Sequence, residues 1–422
     1  MTGIVRTYSG KGTIRTHFCP GVPCSFDIVL HGDGEIDVRC ECPHTPDALK
    51  ILQEDRKGPL VYVAIFGTLL DGRQVKIRKA YLGNTTLSTG LTYDFSSTSR
   101  VEIGVLRRIP GQSIEIHCGL ANLVFAGCQV SQMDNTVTRD YFDSVLDGYT
   151  FRFKHMRDYD QIFKDLESNG GASVTTEIVF SCPTDNLSKA EVVMHDALTL
   201  LSFATGVWIG PVYEEIYVDG KLAMSKLLRS KIFSYRPTDH VIDIDNFSKC
   251  DVKEFLEATY LPFKRYKKSL GLGGVIEYYA HAKQLNYLTT KFLIASVALE
   301  CLHSYVRQHF GQTGEWRRQN RFWCFISRGL LGRKVSFPRQ FVRLLRHFNV
   351  KYEAEELTRL YKIRNKIVHE GVLPAKIDGL NEYRRLINFT DRILLTILGY
   401  EGKQFLNCAR SYARETLVLA SN

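Results

Sequence analysis

Apolar and polar residues alternate with a period of two over short runs in residues 1–185, which predicts a series of strands. Residues 25–30 and 35–40 flank the turn His31-Gly32-Asp33-Gly34 and read as a hairpin. Residues 60–66 form an apolar run, and Asp71-Gly72-Arg73 turns it toward 74–78. Further strands are expected at 100–106, 113–117, 149–154 and 175–180. Strands this short and this frequent predict a sandwich or a twisted barrel. The Ser/Thr/Gly-rich stretch 83–99 reads as a long surface loop. Asn186 or Ser188 can cap a helix at 188–204, which Gly206 ends. An aromatic strand at 207–218, with a turn at Asp219-Gly220, then closes the β-rich part.

From Val252 the apolar spacing lengthens to that of helices. Helices are expected at 252–268, 275–287, 289–310, 315–329, 337–348, 353–370 and 378–398. An antiparallel bundle buries their apolar faces. The expected fold class is therefore α+β and multidomain. A β-rich, sandwich-like domain spans 1–227, a linker 228–250, and an all-α helical bundle 251–422.

Composition and length add to this picture. The 422 residues suffice for two or three domains. No apolar run reaches the roughly 20 residues that span a bilayer. The first residues lack a signal-peptide apolar region, so cytoplasmic residence is expected. Eleven cysteines, an odd number spread over both halves, suit reduced thiols in a cytosolic protein. The charge is uneven: 251–422 carries 29 Lys+Arg against 15 Asp+Glu, whereas 1–250 carries 26 against 30. A basic half is the electrostatic footprint of nucleic-acid binding, or simply a solvated basic surface.

The stretch from Leu360 to Gly371 concentrates the candidate chemistry. Leu360, Ile363 and Ile367 mark one helix face, while Arg364, Asn365 and His369 are polar positions on the same helix. Asn365 and His369 are four apart and share a side; Arg364 is offset. Gly371 and Pro374 stop the helix just after His369. The C-terminal end of a helix favours an imidazolium, suited to proton donation or to holding phosphate.

The Arg-x4-His pattern with Asn after the Arg resembles the signature of HEPN domains. The segment Phe292 to Leu302, with Ala298-Leu299-Glu300, resembles the preceding HEPN helix. From about Asp251 onward the chain is similar to the ApeA-like HEPN proteins of bacterial anti-phage defence. The run Leu200 to Gly206 resembles the end of their N-terminal domain. The resemblance implies a metal-independent endoribonuclease that acts as a homodimer, two motifs facing one cleft. Arg364 would hold the scissile phosphate and stabilise transition-state charge. His369 would act as base on the ribose 2′-OH or acid on the leaving 5′-oxygen. Asn365 would orient His369 or touch the phosphate. The products would be 2′,3′-cyclic phosphate and 5′-OH ends, with no cofactor. In the cell the resemblance implies an abortive-infection toxin, released when the N-terminal domain senses a phage-encoded trigger. The position two residues after His369 is Gly371, not the Tyr that some HEPN pairs adenylylate, so control by that modification is not expected.

Supporting residues are weaker signals. Glu300 needs a partner in its apolar segment, and Arg364 or His369 could supply it. Lys362 and Lys366 flank Arg364 and would contact RNA phosphates without reading sequence. The run Arg317 to Trp323 could touch RNA by charge and stacking, or form an amphipathic helix with Phe322 and Phe325 inward. Cys19, Cys24, Cys40 and Cys42 read as half-buried structural thiols; with His17 and His44 they offer an alternative zinc set of irregular spacing. The competing functional reading is a non-catalytic HEPN scaffold that binds RNA or protein.

Overall fold

The computed structural model describes residues 4–16, 19, 21–55, 62–87, 91–97, 100–107, 109–127, 129–133, 136–229, 234–235, 240–244, 251–310, 316–319, 322–327, 330–334, 337–374, 377–401, 403–407 and 412–416. The chain divides into two compact units, 1–192 with 209–235 and 193–208 with 236–422.

In the first unit, β1 (Ile4–Arg15), β2 (Val22–His31), β3 (Ile36–Cys42), β4 (Tyr62–Leu69), β5 (Gln74–Leu87) and β6 (Leu91–Ser97) form a ring in the order β4-β1-β2-β3-β6-β5. The pairing of β4 with β5 closes it. Beyond β5 the same sheet continues through β7 (Arg100–Gly104), β14 (Lys221–Leu228), β13 (Pro211–Val218), β8 (Ser113–Ala121), β12 (Val174–Pro183), β11 (Tyr149–His155), β10 (Thr136–Leu146) and β9 (Gln129–Met133). β5 can serve three neighbours because it is 14 residues long and carries a register shift between Leu82 and Asn84. Such an irregularity bends a strand and lets a sheet turn a corner.

Strict alternation sorts the ring's side chains. Every second residue of β3 is buried, and Ile28, Val38, Cys40, Ile65, Ile77 and Tyr93 meet in one core. The helix α1 (Pro46–Asp55) adds Ala48 and Ile51 to it, and the Tyr93 hydroxyl donates to the Ala48 carbonyl at 2.6 Å. β1 and β4 approach so closely that a Cβ at Gly12 would lie 2.3 Å from the Phe66 carbonyl oxygen. Only glycine fits there. Of the two expectations, a sandwich or a twisted barrel, the stacked sheets of the sandwich are replaced by one continuous, partly closed sheet. Stretch 83–99, read as a loop, belongs largely to β5 and β6, which pair with each other. Its threonines are β-formers, and ladder pairing outweighed their polarity. The helix α2 (Tyr159–Asn169) follows β11.

In the second unit, residues 193–205 are the larger part of α3 (Leu187–Thr205). The other helices are α4 (Asp251–Tyr266), α5 (Leu272–Gln284), α6 (Leu288–Phe310), α7 (Phe337–His347), α8 (Ala354–Glu370) and α9 (Gly379–Ile397). α6 is the hub, packing against α5, α7, α8 and α9. Phe203 sits 5.4 Å from Tyr279 and 6.2 Å from Phe255 between ring centroids.

The unit is not all helical. The helix expected at 315–329 is replaced by β15 (Trp316–Gln319), β16 (Phe322–Ser327) and β17 (Leu330–Lys334), an antiparallel sheet. The residues Phe322, Trp323, Phe325 and Ile326 favour extended backbone. A second small sheet pairs β18 (Lys403–Asn407) with β19 (Tyr412–Thr416). Among the described residues no helix is long and apolar enough to cross a membrane.

Candidate active site

Helix α8 carries the Arg364, Asn365 and His369 triplet. Leu357, Leu360, Ile363 and Ile367 are buried and anchor one face. Gly371 ends the helix at φ 75°, and its N–H donates to the Ile367 carbonyl at 2.8 Å. That left-handed residue costs glycine little, so the stop falls just beyond His369.

Arg364 and Glu300 form an ion pair between α8 and α6. The Arg364 Nη1 also donates to Asn365 Oδ1 at 3.0 Å. Asn365 is thus engaged with Arg364, and not with His369 as its spacing suggested. His369 is exposed and has no side-chain partner among the described residues. Arg364 and His369 lie five residues apart, so their Cβ vectors diverge by about 140° around the helix. Lys362 is exposed, while Lys366 pairs with Glu370 at 3.5 Å.

The strength of the Arg364–Glu300 pair decides whether Arg364 is available. The two side chains are 26% and 33% exposed. Ion pairs at such partly solvated positions contribute about 0.2–1 kcal/mol. An incoming phosphate offers more acceptor charge than one carboxylate, so it can recruit Arg364 at small cost. Beside the pair, Ser296, Leu299, Leu360 and Phe389 help to line a cavity of about 30 Å³. That holds about one water and is too small for a base.

A second polar group, which reading the sequence missed, lies on the sheet of the first unit. His117 Nδ1 is 3.2 Å from Glu177 Oε2, and its Nε2 is 2.7 Å from Glu115 Oε1. The hydrogen bond to Glu177 is the main cause that raises the imidazole pKa, to about 9, against the opposing effect of burial. Tyr213 donates to Glu177 at 3.1 Å, and Tyr217 donates to Glu215 at 3.0 Å. Arg6 pairs with Glu215 at 3.4 Å and lies over the Tyr213 ring. Burial pushes the Tyr213 hydroxyl well up, keeping it a donor. The available signal was polar residues at alternate positions 113, 115 and 117 and at 213, 215 and 217, one face of each strand. Cross-strand assembly brings them together only once the order of β12, β8 and β13 is known.

The cysteines sit elsewhere. Cys19, Cys24, Cys40 and Cys42 are buried in the ring's core, and Cys24 is hydrogen-bonded to Cys40 and Cys42. His44 is exposed, and His17 lies outside the described residues. Among the described residues no group of three or more His, Cys, Asp or Glu side chains is arranged to hold a metal ion. The run Arg317 to Trp323 lies in β15 and β16, with Asn320 and Arg321 outside the described residues.

Comparison with known proteins reaches the region of the His117 cluster and does not extend to α8. No curated protein and no solved structure matches the chain. Residues 110–237, the span that holds β8 to β14 and the His117 cluster, match the family model of the YopA central domain.

Proposed function

We propose that the chain is a metal-independent HEPN-type endoribonuclease that serves as an abortive-infection effector. The observation that carries this reading is α8 itself: Arg364 loosely held by Glu300 and Asn365, with an exposed His369 beyond it that has no side-chain partner among the described residues. Arg364 would bind the scissile phosphate after leaving Glu300. His369 would move a proton to or from the ribose 2′-OH or the 5′-oxygen. Since the two side chains diverge on one helix, the active cleft would use two copies of the chain, each supplying part of the set. Lys362 and Lys366 would add phosphate contacts. The first unit would act as sensor for a phage-encoded trigger in the cytoplasm, keeping the nuclease quiet until infection.

One observation favours a second reading. Arg364 is neutralised by Glu300 as it stands, which suits a non-catalytic scaffold that binds RNA or protein through the basic face of α8. Phage plating on cells carrying wild type or His369→Ala separates the two. Loss of protection in the variant supports the nuclease; equal protection supports the scaffold.

A further inference from the structure

A charged row crosses the sheet of the first unit. In register, Thr13 opposes Phe66, Phe66 opposes Lys76, Lys76 opposes Glu102, and Glu102 opposes Lys226. Lys226 in turn opposes Glu214. Directly opposed residues of antiparallel strands project to the same face. The five from Thr13 to Lys226 line a groove of about 830 Å³, within the usual size of small-molecule sites.

The charges along this groove do not all cancel internally. Lys226 is taken by Glu214 and by Glu191, the latter at 2.8 Å. Glu102 is taken by Arg100 at 3.1 Å. Arg15 and Lys76 remain, and neither has a carboxylate partner among the described residues. Lys76 is half-buried and Arg15 is exposed. The Arg15 guanidinium lies 5.2 Å from the Phe66 ring centroid, fixing it at the same end of the groove. Thr68 and Gln74, opposed to each other in register, also line the groove, as do Glu102, which stands opposite Lys76, and Glu191.

We propose that this groove binds a small phosphate monoester with a hydroxyl-rich body, of nucleotide or sugar-phosphate size. The phosphate would sit between Arg15 and Lys76, and Glu102 and Glu191 would accept from hydroxyls. The site belongs to the first unit and does not depend on the chemistry of α8, so its failure would leave the nuclease reading untouched.

The test is calorimetric titration of the full chain with ribose 5-phosphate, adenosine 5′-monophosphate, adenosine and inorganic phosphate. Wild type is expected to bind at least one of the two esters, and adenosine much more weakly. Arg15→Gln and Lys76→Gln should each weaken that binding roughly tenfold or more, as loss of a charged hydrogen bond implies. Lys76→Arg should retain it, which guards against a folding artefact. The ester that binds tighter names the source. The proposal is overturned if neither ester binds wild type at millimolar concentration, or if both Gln variants bind as wild type does. Inorganic phosphate binding as tightly as the esters would overturn the claim that the groove recognises the body of the ligand.

Discussion

Replacing Glu177 with Gln should return the His117 imidazole toward its ordinary pKa. In wild type the value is held at about 9, first by the hydrogen bond to Glu177 and then by Glu115, against burial. The folded value exceeds the unfolded value of 6.5. The stabilisation is therefore complete below about pH 6.5 and is lost as pH rises through about 9. Converted in full at about 1.4 kcal/mol per pH unit, the displacement would contribute about 3 kcal/mol. His117 is 24% exposed, and solvent screening reduces this to about 1–2 kcal/mol. The assay is a proton NMR titration of the His117 ring in wild type and Glu177→Gln between pH 5 and about pH 10. The reasoning predicts a midpoint near 9 in wild type and a clearly lower one in the variant. A wild-type midpoint near 6.5, or one that Glu177→Gln does not move, would refute it.

Three substitutions test the packing around the two sites. A Cβ at Gly119 would lie 2.1 Å from the Tyr213 ring, so Gly119→Ala should destabilise the first unit by about 1–3 kcal/mol in thermal unfolding. An unchanged midpoint would mean that the ring does not cross β8 to reach Glu177. Ile363→Ala removes a buried anchor of α8 and should cost about 2–5 kcal/mol by denaturant titration of the second unit; a cost near zero would show that the helix is not held by that face. Gly371→Ala forces a side chain into φ 75° and should cost about 1 kcal/mol; no effect would mean that the helix ends elsewhere.

The motif helix was legible because its signals are local. The buried spacing at Leu360, Ile363 and Ile367 and the stop at Gly371 both lie within twelve residues, and α8 follows them closely. The hairpin of β2 and β3 was legible for the same reason, alternation around a turn. The closed ring was not, because beyond the local β4–β5 hairpin it depends on β4 meeting β1 and β3 meeting β6, pairings set by long-range packing. The helix expected at 315–329 failed where the apolar residues of β16 fit either period and their β preference decided the outcome. The Arg364–Glu300 pair was available as one of two options from Glu300 on an apolar helix. Which partner it would take, and that Asn365 would face Arg364, required the packing of α6 on α8.

The central claim is tested most directly by RNA cleavage with the purified chain in EDTA, before and after addition of phage-infected lysate. Wild type, Arg364→Ala and His369→Ala are compared and the product ends mapped. The account predicts 2′,3′-cyclic phosphate and 5′-OH ends from wild type, with cleavage reduced by about 10²–10⁴ in the His369 variant. Equal cleavage by all three proteins, or none by wild type even with infected lysate, would contradict it.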